Sequence, residues 1–333
     1  MQKLCRIMYK NASLIFVCKS IVQTPHNHVI IPLMFEYARA ICYSGYRRNQ
    51  SPVDATYPSY EEIAEDLQIL VNLGFKYIRM YDAVEYARRT CQVIRDKGFD
   101  LKLMLGPGIR SEINNAGCPW LKVTYSPEQL AERAKINDSR VDSLIQIAND
   151  YKDVVNAVSI GNENTPSWGE NNIPVERLIG FADKLKANCS QPVTFNEGAF
   201  EWPALTELAK HLDIISVHSY PLWYGNTVDE ALDVNKEWYK KICALYPDKP
   251  VLFSEVGWAT SAVDFSQMKQ GQPNEENQKK YYDAFWEWTD KEKIISYMFE
   301  AFDEPWKGGS DPNEAEKHWG IFDVDRKPKL LLK

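Results

Sequence analysis

Glu163 closes the apolar run in VVNAVSIGNEN, and Glu255 closes the one in PVLFSEVGWAT. Both runs are short, rich in β-branched residues and nearly uninterrupted, the pattern of a strand buried on both faces. A carboxylate at the end of each should emerge at a strand's C-terminal edge, where parallel barrels keep their chemistry. Two carboxylates carried into one cleft by different strands can divide the cleavage of a glycosidic bond. One protonates the leaving oxygen while the other attacks the sugar carbon. A solvated loop position is the plain alternative for either glutamate alone, and their neighbours Asn162 and Trp258 weigh against it.

Such a pair needs a frame, and the chain supplies a repeating one. Eight strand-like runs, Ala40–Ser44, Tyr77–Tyr81, Leu101–Leu105, Val155–Ile160, Pro192–Asn196, Ile214–His218, Val251–Ser254 and Ile294–Phe299, alternate with amphipathic helical stretches. That alternation predicts a single (β/α)8 TIM barrel over residues 38–330. Three helix starts read as capping boxes, with Ser59, Ser126 and Thr227 each followed at the third position by Glu62, Gln129 and Glu230. In the first helix Ile63, Leu67, Leu70 and Val71 form an inward stripe, and Gly74 closes it before the next strand. Two long Gly/Pro/Asn/Ser-rich connections, Gly106–Tyr125 and Ser261–Pro273, follow the third and seventh strands and are expected to shape the groove on the catalytic face.

Composition narrows the partners. A net charge of −7, without long single-sign blocks, gives no electrostatic footprint for nucleic acid or an acidic membrane surface, so a neutral substrate is expected. The 10 Trp and 18 Tyr offer flat rings that suit the C–H faces of sugars, although packing must account for most of them. Seven cysteines at wide spacing, with no Cys-x-x-Cys pair, signal neither a zinc site nor a dense disulfide framework; Cys42 and Cys243 read as small buried hydrophobes. No apolar run reaches the ~18 residues of a membrane-spanning helix. Residues 1–37 form an extension with little pattern. Lys3, Arg6 and Lys10 precede a short apolar stretch from Ser13 to Cys18 that superficially resembles a secretion signal, yet Lys19 interrupts it and no clean cleavage site follows. His26 and His28 lack partners for a metal, and a solvated tail is expected there.

Further motifs are AICYSGYRRNQSP at the first strand, YIRMYD at the second, SIGNEN at the fourth, VHSYP at the sixth, SEVGWAT at the seventh, and MFEAFDEPWK with EKHWGIF at the eighth. In that order the chain resembles glycoside hydrolase family 17, the β-1,3-glucanases and glucanosyltransferases of a large retaining barrel clan, from about Ala38 to Phe322. The resemblance implies a cofactor-free, metal-free double displacement on β-1,3-glucan, with Glu163 as acid/base and Glu255 as nucleophile. Retention requires the carboxylates roughly 5 Å apart, and at that range their repulsion raises the pKa of one of them.

By the same resemblance Asn162 holds the sugar 2-hydroxyl and Tyr220 reaches the nucleophile. Glu304, Lys307 and Glu316 form a charged set at the eighth strand, and an ammonium there would favour ionised carboxylates. Tyr43 and Tyr81 line the subsite of the cleaved sugar, while Trp258, Trp306 and Trp319 are placed to stack on glucose rings; packing is the competing account for each. Asp82 reads as structural, paired with Arg79 or capping. Water and a second sugar can both complete the reaction, so β-1,3-glucanosyl transfer is the alternative outcome, and a non-catalytic carbohydrate-binding barrel is the alternative class. The Pro305-Trp306 pair departs from the pattern. A monomer is expected, placed in the cell envelope or outside by resemblance, or in the cytoplasm if the N-terminus is genuine.

Overall fold

The apolar runs pair as parallel strands because each is buried on both faces and separated from the next by a helix long enough to cross back. A computed structural model describes residues 36–121, 123–263, 268–269 and 271–333. In it β1 (Arg39–Cys42), β2 (Phe75–Met80), β3 (Lys102–Leu105), β4 (Val155–Asn162), β5 (Val193–Gly198), β6 (Ile214–Ser219), β7 (Val251–Val256) and β8 (Ser296–Met298) follow one another around a closed barrel. Closure is made by β8 pairing with β1, Ala40 opposite Tyr297 and Ile41 opposite Met298. The (β/α)8 barrel is thus the observed architecture. The readings for residues 1–35 lie outside the described residues.

The outer ring comprises α1 (Tyr60–Asn72), α2 (Glu85–Lys97), α3 (Pro127–Asp150), α4 (Val175–Asn188), a five-residue α5 (Thr206–Lys210), α6 (Val228–Leu245) and α7 (Glu275–Glu292). Ser59 and Ser126 cap as their spacing predicts: Glu62 N–H donates to Ser59 Oγ at 3.2 Å while Ser59 N–H returns to Glu62 at 2.8 Å, and Gln129 does the same with Ser126. The capping box at Thr227 is present as well, with the Thr227 N–H donating to the Glu230 carboxylate at 2.7 Å and the Thr227 hydroxyl reaching the same carboxylate at 2.9 Å. Ile63, Leu67 and Leu70 are fully buried, Val71 packs partly buried against the same core, and Gly74 takes the left-handed turn (φ +80°) that ends the helix.

The repeat departs from expectation after β8. No α-helix follows among the described residues; the chain instead makes two 3-10 turns, Ala315–Lys317 and Leu330–Leu332, joined by bridges of Phe322 to Phe302 and to Pro328. Leu330 N–H is anchored on Glu275 at the start of α7 (2.7 Å). Among the described residues no helix is long and apolar enough to cross a membrane.

A buried ion pair fastens this terminal segment to the front of the barrel. Arg326 reaches both oxygens of fully buried Asp66 on α1, at 2.8 and 2.6 Å, and donates to the Gly45 carbonyl. Asp66 also receives Arg47 and the Tyr43 hydroxyl. A Cβ at Gly45 would lie 2.5 Å from Tyr43 Oη and 2.6 Å from Asp66 Oδ2, so only glycine allows the strand to leave the barrel so close to the pair. Removing one partner of a buried pair strands the other charge. Asp66→Ala is therefore expected to lose about 3–5 kcal/mol of stability in chemical denaturation; a loss under about 1 kcal/mol would show that the terminal segment is held by other means.

Candidate active site

The C-terminal ends of the strands open into one cleft of about 1160 Å³, walled by side chains from all eight strands or the connections that follow them. Glu163 stands one residue past β4 in the left-handed backbone region, φ +48°. A non-glycine residue there costs on the order of 1–3 kcal/mol and persists only where its surroundings enforce it. Here four hydrogen bonds do so. Glu163 N–H donates to the Asn196 carbonyl of β5 at 3.0 Å, and Asn162 N–H donates to Asn164 Oδ1 at 2.8 Å. Two residues on, the Thr165 N–H and hydroxyl both donate to Glu197 Oε2, at 3.2 and 2.8 Å. Glu197 is completely buried on β5; burial, and then the field of Glu163, push its carboxyl well above the usual range.

Glu255 lies within β7 and is nearly as buried. Its Oε1 accepts Arg79 Nη1 at 2.5 Å, and its Oε2 accepts the Tyr220 hydroxyl. His218 sits between the two glutamates: Nδ1 is 2.8 Å from Glu163 Oε1, and Nε2 is 3.5 Å from Glu255 Oε1. One carboxylate oxygen from each glutamate and a His218 nitrogen all lie within 4.8 Å of one another. Arg79, on β2, is 1% exposed and ties Glu255 to Asn162, the residue before Glu163, because its Nη2 donates to Asn162 Oδ1; its guanidinium carbon lies 4.4 Å from the Tyr81 ring centroid.

These contacts set the charge of the site. Burial pushes the Glu255 carboxyl up, but the His218 ring, the Arg79 guanidinium and the Tyr220 hydroxyl together outweigh it and hold the pKa down at about 2. Glu255 is thus an anion throughout the ordinary pH range. The trio Glu163, His218 and Glu255 has the spacing of a divalent-metal site. Both Glu255 oxygens, however, already take donors, and the neighbouring guanidinium supplies the positive charge a cation would bring, so the donor set fits a hydrogen-bonded carboxylate pair better than a metal.

A second charged group stands across the barrel, beyond β8. Lys307 binds Glu304 and is 3.3 Å from Glu300 Oε2; the Ser44 hydroxyl and the Trp306 indole N–H both reach Glu304 Oε1, the latter at 3.0 Å. Burial alone would lower the Lys307 pKa, yet Glu300 and Glu304 raise it above its ordinary value, so Lys307 is a fixed cation. Burial likewise raises Glu316, against the pull of Lys307.

Comparison with known proteins accords with this arrangement. The model of the BtgE/BtgC glycoside hydrolase domain matches residues 40–320. The chain belongs to that family. Among relatives of this BtgE/BtgC-family chain is a glucan 1,3-beta-glucosidase of Arthroderma benhamiae, 28% identical over 208 residues, covering 57% of this chain and 65% of that protein. A probable glucan endo-1,3-beta-glucosidase, btgC, of Aspergillus clavatus is 27% identical over 236 residues, covering 64% of this chain and 33% of that one. The chain thus spans less than two thirds of either curated relative. Among solved structures, an endo-laminarinase from Formosa Hel1_33_131 superposes with a TM-score of 0.73 at 25% identity, covering 89% and 85% of the two chains. A glycoside hydrolase family 17 β-1,3-glucanosyltransferase from Rhizomucor miehei shares the fold, at a TM-score of 0.68 and 20% identity, covering 88% and 96%.

Of the site residues expected from sequence, Glu163, Glu255, Asn162, Tyr43, Tyr81, Tyr220, Glu304, Lys307, Glu316, Trp306 and Trp319 all line the cleft of this BtgE/BtgC-family barrel. Trp258 does not. Its indole is fully buried, packed at 5.5 Å on Tyr281 of α7 with its N–H on the Gln272 carbonyl, and is absent from the cleft wall, so it is a core residue rather than a stacking platform. Trp319 is almost fully buried among Tyr220, Trp223 and Phe299 and offers the cleft little of its ring. Asp82 does not pair with Arg79; it accepts Gly108 N–H at 3.1 Å and lies 3.8 Å from Arg140. The Gly106–Tyr125 connection reaches the cleft as expected, whereas no described residue of Ser261–Pro273 does.

Arg79, His218 and Glu197, which surround the two glutamates and the turn at Glu163, are not singled out from sequence. His218 and Tyr220 stand two apart in VHSYP, the spacing of one strand face, and that was the available signal. The depressed pKa of Glu255 has a direct readout. Carboxyl-selective NMR should place its midpoint at about 2, and Tyr220→Phe should raise it by removing a donor to the anion. A midpoint near 4.5 would contradict the cluster. Because folding lowers this pKa, ionised Glu255 contributes stability above about pH 4.5, and that contribution drains away as pH falls toward 2.

Proposed function

We propose that this chain is a retaining glycosidase of the family 17 type acting on β-1,3-glucan, with Glu255 as nucleophile and Glu163 as acid/base. The observation that carries the reading is that one oxygen of each carboxylate lies within 4.8 Å of an oxygen of the other across one cleft, with Glu255 clamped as an anion. Retaining glycosidases hold their carboxyl groups ~5–5.5 Å apart, whereas inverting ones need ~6.5–9.5 Å to fit a water between them. Family membership and the β-1,3-glucan activities named for the relatives support the substrate class.

In the first step an oxygen of Glu255 attacks the anomeric carbon as the glycosidic bond breaks, and Glu163 gives its proton to the departing oxygen. The product is a leaving sugar with a new hydroxyl and a glycosyl ester on Glu255. Arg79 and Tyr220 orient the attacking carboxylate, and Asn162, itself held by Arg79, presents its amide to the sugar 2-hydroxyl. In the second step Glu163 takes a proton from water, the hydroxide oxygen bonds to the anomeric carbon, and the ester bond breaks to restore the Glu255 carboxylate. His218, hydrogen-bonded to Glu163 and close to Glu255, keeps the two side chains in register through both steps.

A sugar hydroxyl can replace that water, turning hydrolysis into transfer at no change in machinery. Glu255→Gln is expected to lose on the order of 10⁴-fold or more in kcat on laminari-oligosaccharides, with glucan affinity kept. Turnover within tenfold of the unaltered protein would remove Glu255 from the nucleophile role. In the same assay on the unaltered protein, mass spectrometry should find products no longer than the starting oligosaccharide; longer ones would assign transfer.

A further inference from the structure

Two tryptophans on the cleft wall take no part in the chemistry described above. Trp120 lies on the connection after β3 and Trp168 on the connection after β4, five residues beyond Glu163. Both are 41% exposed or more (Trp120 52%, Trp168 41%), although each is among the largest apolar side chains the protein has, and both face the cleft. Their ring centroids are 6.0 Å apart and the rings are tilted by 49°. A pair of exposed indoles side by side on a binding cleft is a costly arrangement unless something covers it.

The two connections are stitched together, so the pair is pre-positioned rather than loosely hung. Asn115 Nδ2 donates to the Ser167 and Gly169 carbonyls at 2.8 and 2.7 Å, the carbonyls of the residues on either side of Trp168. Glu112 N–H donates to the Asn172 carbonyl at 3.0 Å. A Cβ at Gly117 would stand 2.5 Å from the Ser167 carbonyl oxygen, so the close approach of the two loops requires glycine there. In a closed barrel of eight strands β4 stands opposite β8, so Trp168 leaves the barrel on the side away from the strand that carries the Glu304–Lys307 group.

Resting on the β-1,3-glucan reading above, we infer that Trp120 and Trp168 form a distal subsite that grips a β-1,3-glucan chain beyond the bond being cut. Successive rings of a β-1,3-linked chain turn relative to one another, unlike the flat ribbon of a β-1,4-glucan, and two indoles inclined to each other can each meet one ring of a chain that curves. The subsite is continuous with the catalytic cleft, and its occupant is the same chain.

The test compares kcat/KM on laminaritriose through laminariheptaose for the unaltered protein, Trp120→Ala, Trp168→Ala and the double variant. The loss should grow with chain length and reach on the order of tenfold per indole on the longest substrate, flattening the gain with length that the unaltered protein shows. Trp168→Phe should retain most of that gain, because a ring remains. Calorimetric binding of laminariheptaose in a Glu255→Gln background should weaken in parallel. Losses equal at every length, or a length dependence that survives in the double variant, would overturn the subsite. An unaltered protein that cleaves no β-1,3-glucan would instead defeat the reading on which it rests.

Discussion

Bringing two carboxylates within 4.8 Å of each other in a largely buried cleft is opposed by their repulsion, on the order of 3 kcal/mol if both are charged at an effective dielectric of about 20. Arg79 resolves the conflict for one of them. Its guanidinium, itself 1% exposed, is useful in the interior only because Glu255, Asn162 and the Ser254 carbonyl accept its protons. The surroundings of the two are unequal: Glu255 is held as an anion, whereas Glu163 is 27% exposed, with its Oε1 2.8 Å from His218 Nδ1. Carboxylates of one cleft can take different roles where their surroundings differ in this way.

The barrel makes this asymmetry possible. Arg79 comes from β2, Glu163 from the end of β4, His218 from β6 and Glu255 from β7, so the site exists only when the sheet is closed. The strained turn at Glu163 belongs to the same design. Fully buried Glu197 on β5 holds Thr165, and Asn196 holds the Glu163 N–H, so the backbone conformation at Glu163 is dictated by the neighbouring strand. Remote elements contribute in the same way, since the Asp66–Arg326 pair fixes Gly45 and Tyr43 beside the β8 charges.

What could be read before folding was local. Strand-end glutamates, capping boxes at Ser59 and Ser126, and the eight apolar runs announce themselves through periodicity and neighbour spacing, and the structure places them as that spacing demands. The partners of those glutamates are a different matter, because Arg79 and Glu255 are separated by 176 positions and no spacing rule links them. Arg79 stands three residues from Asp82, which made that pair the natural local reading; barrel closure offers it a better carboxylate. Trp258 failed for a related reason: a tryptophan three residues past a strand-end glutamate can turn to the cleft or to the helix layer, and Tyr281 on α7 decides it. The missing eighth helix likewise depends on a terminal segment that packs back on the start of α7.

The close approach of Glu163 and Glu255 makes one demand that no neighbouring contact can imitate, namely the stereochemistry of the product. Proton NMR of a laminari-oligosaccharide digest, recorded within the first minutes before mutarotation, reads the configuration of the newly released reducing end. The first-formed product should be the β-anomer, the outcome of two successive displacements at one carbon. An α-anomer appearing first would mean that water attacks directly between more widely separated carboxylates, and would contradict the mechanism built on this pair.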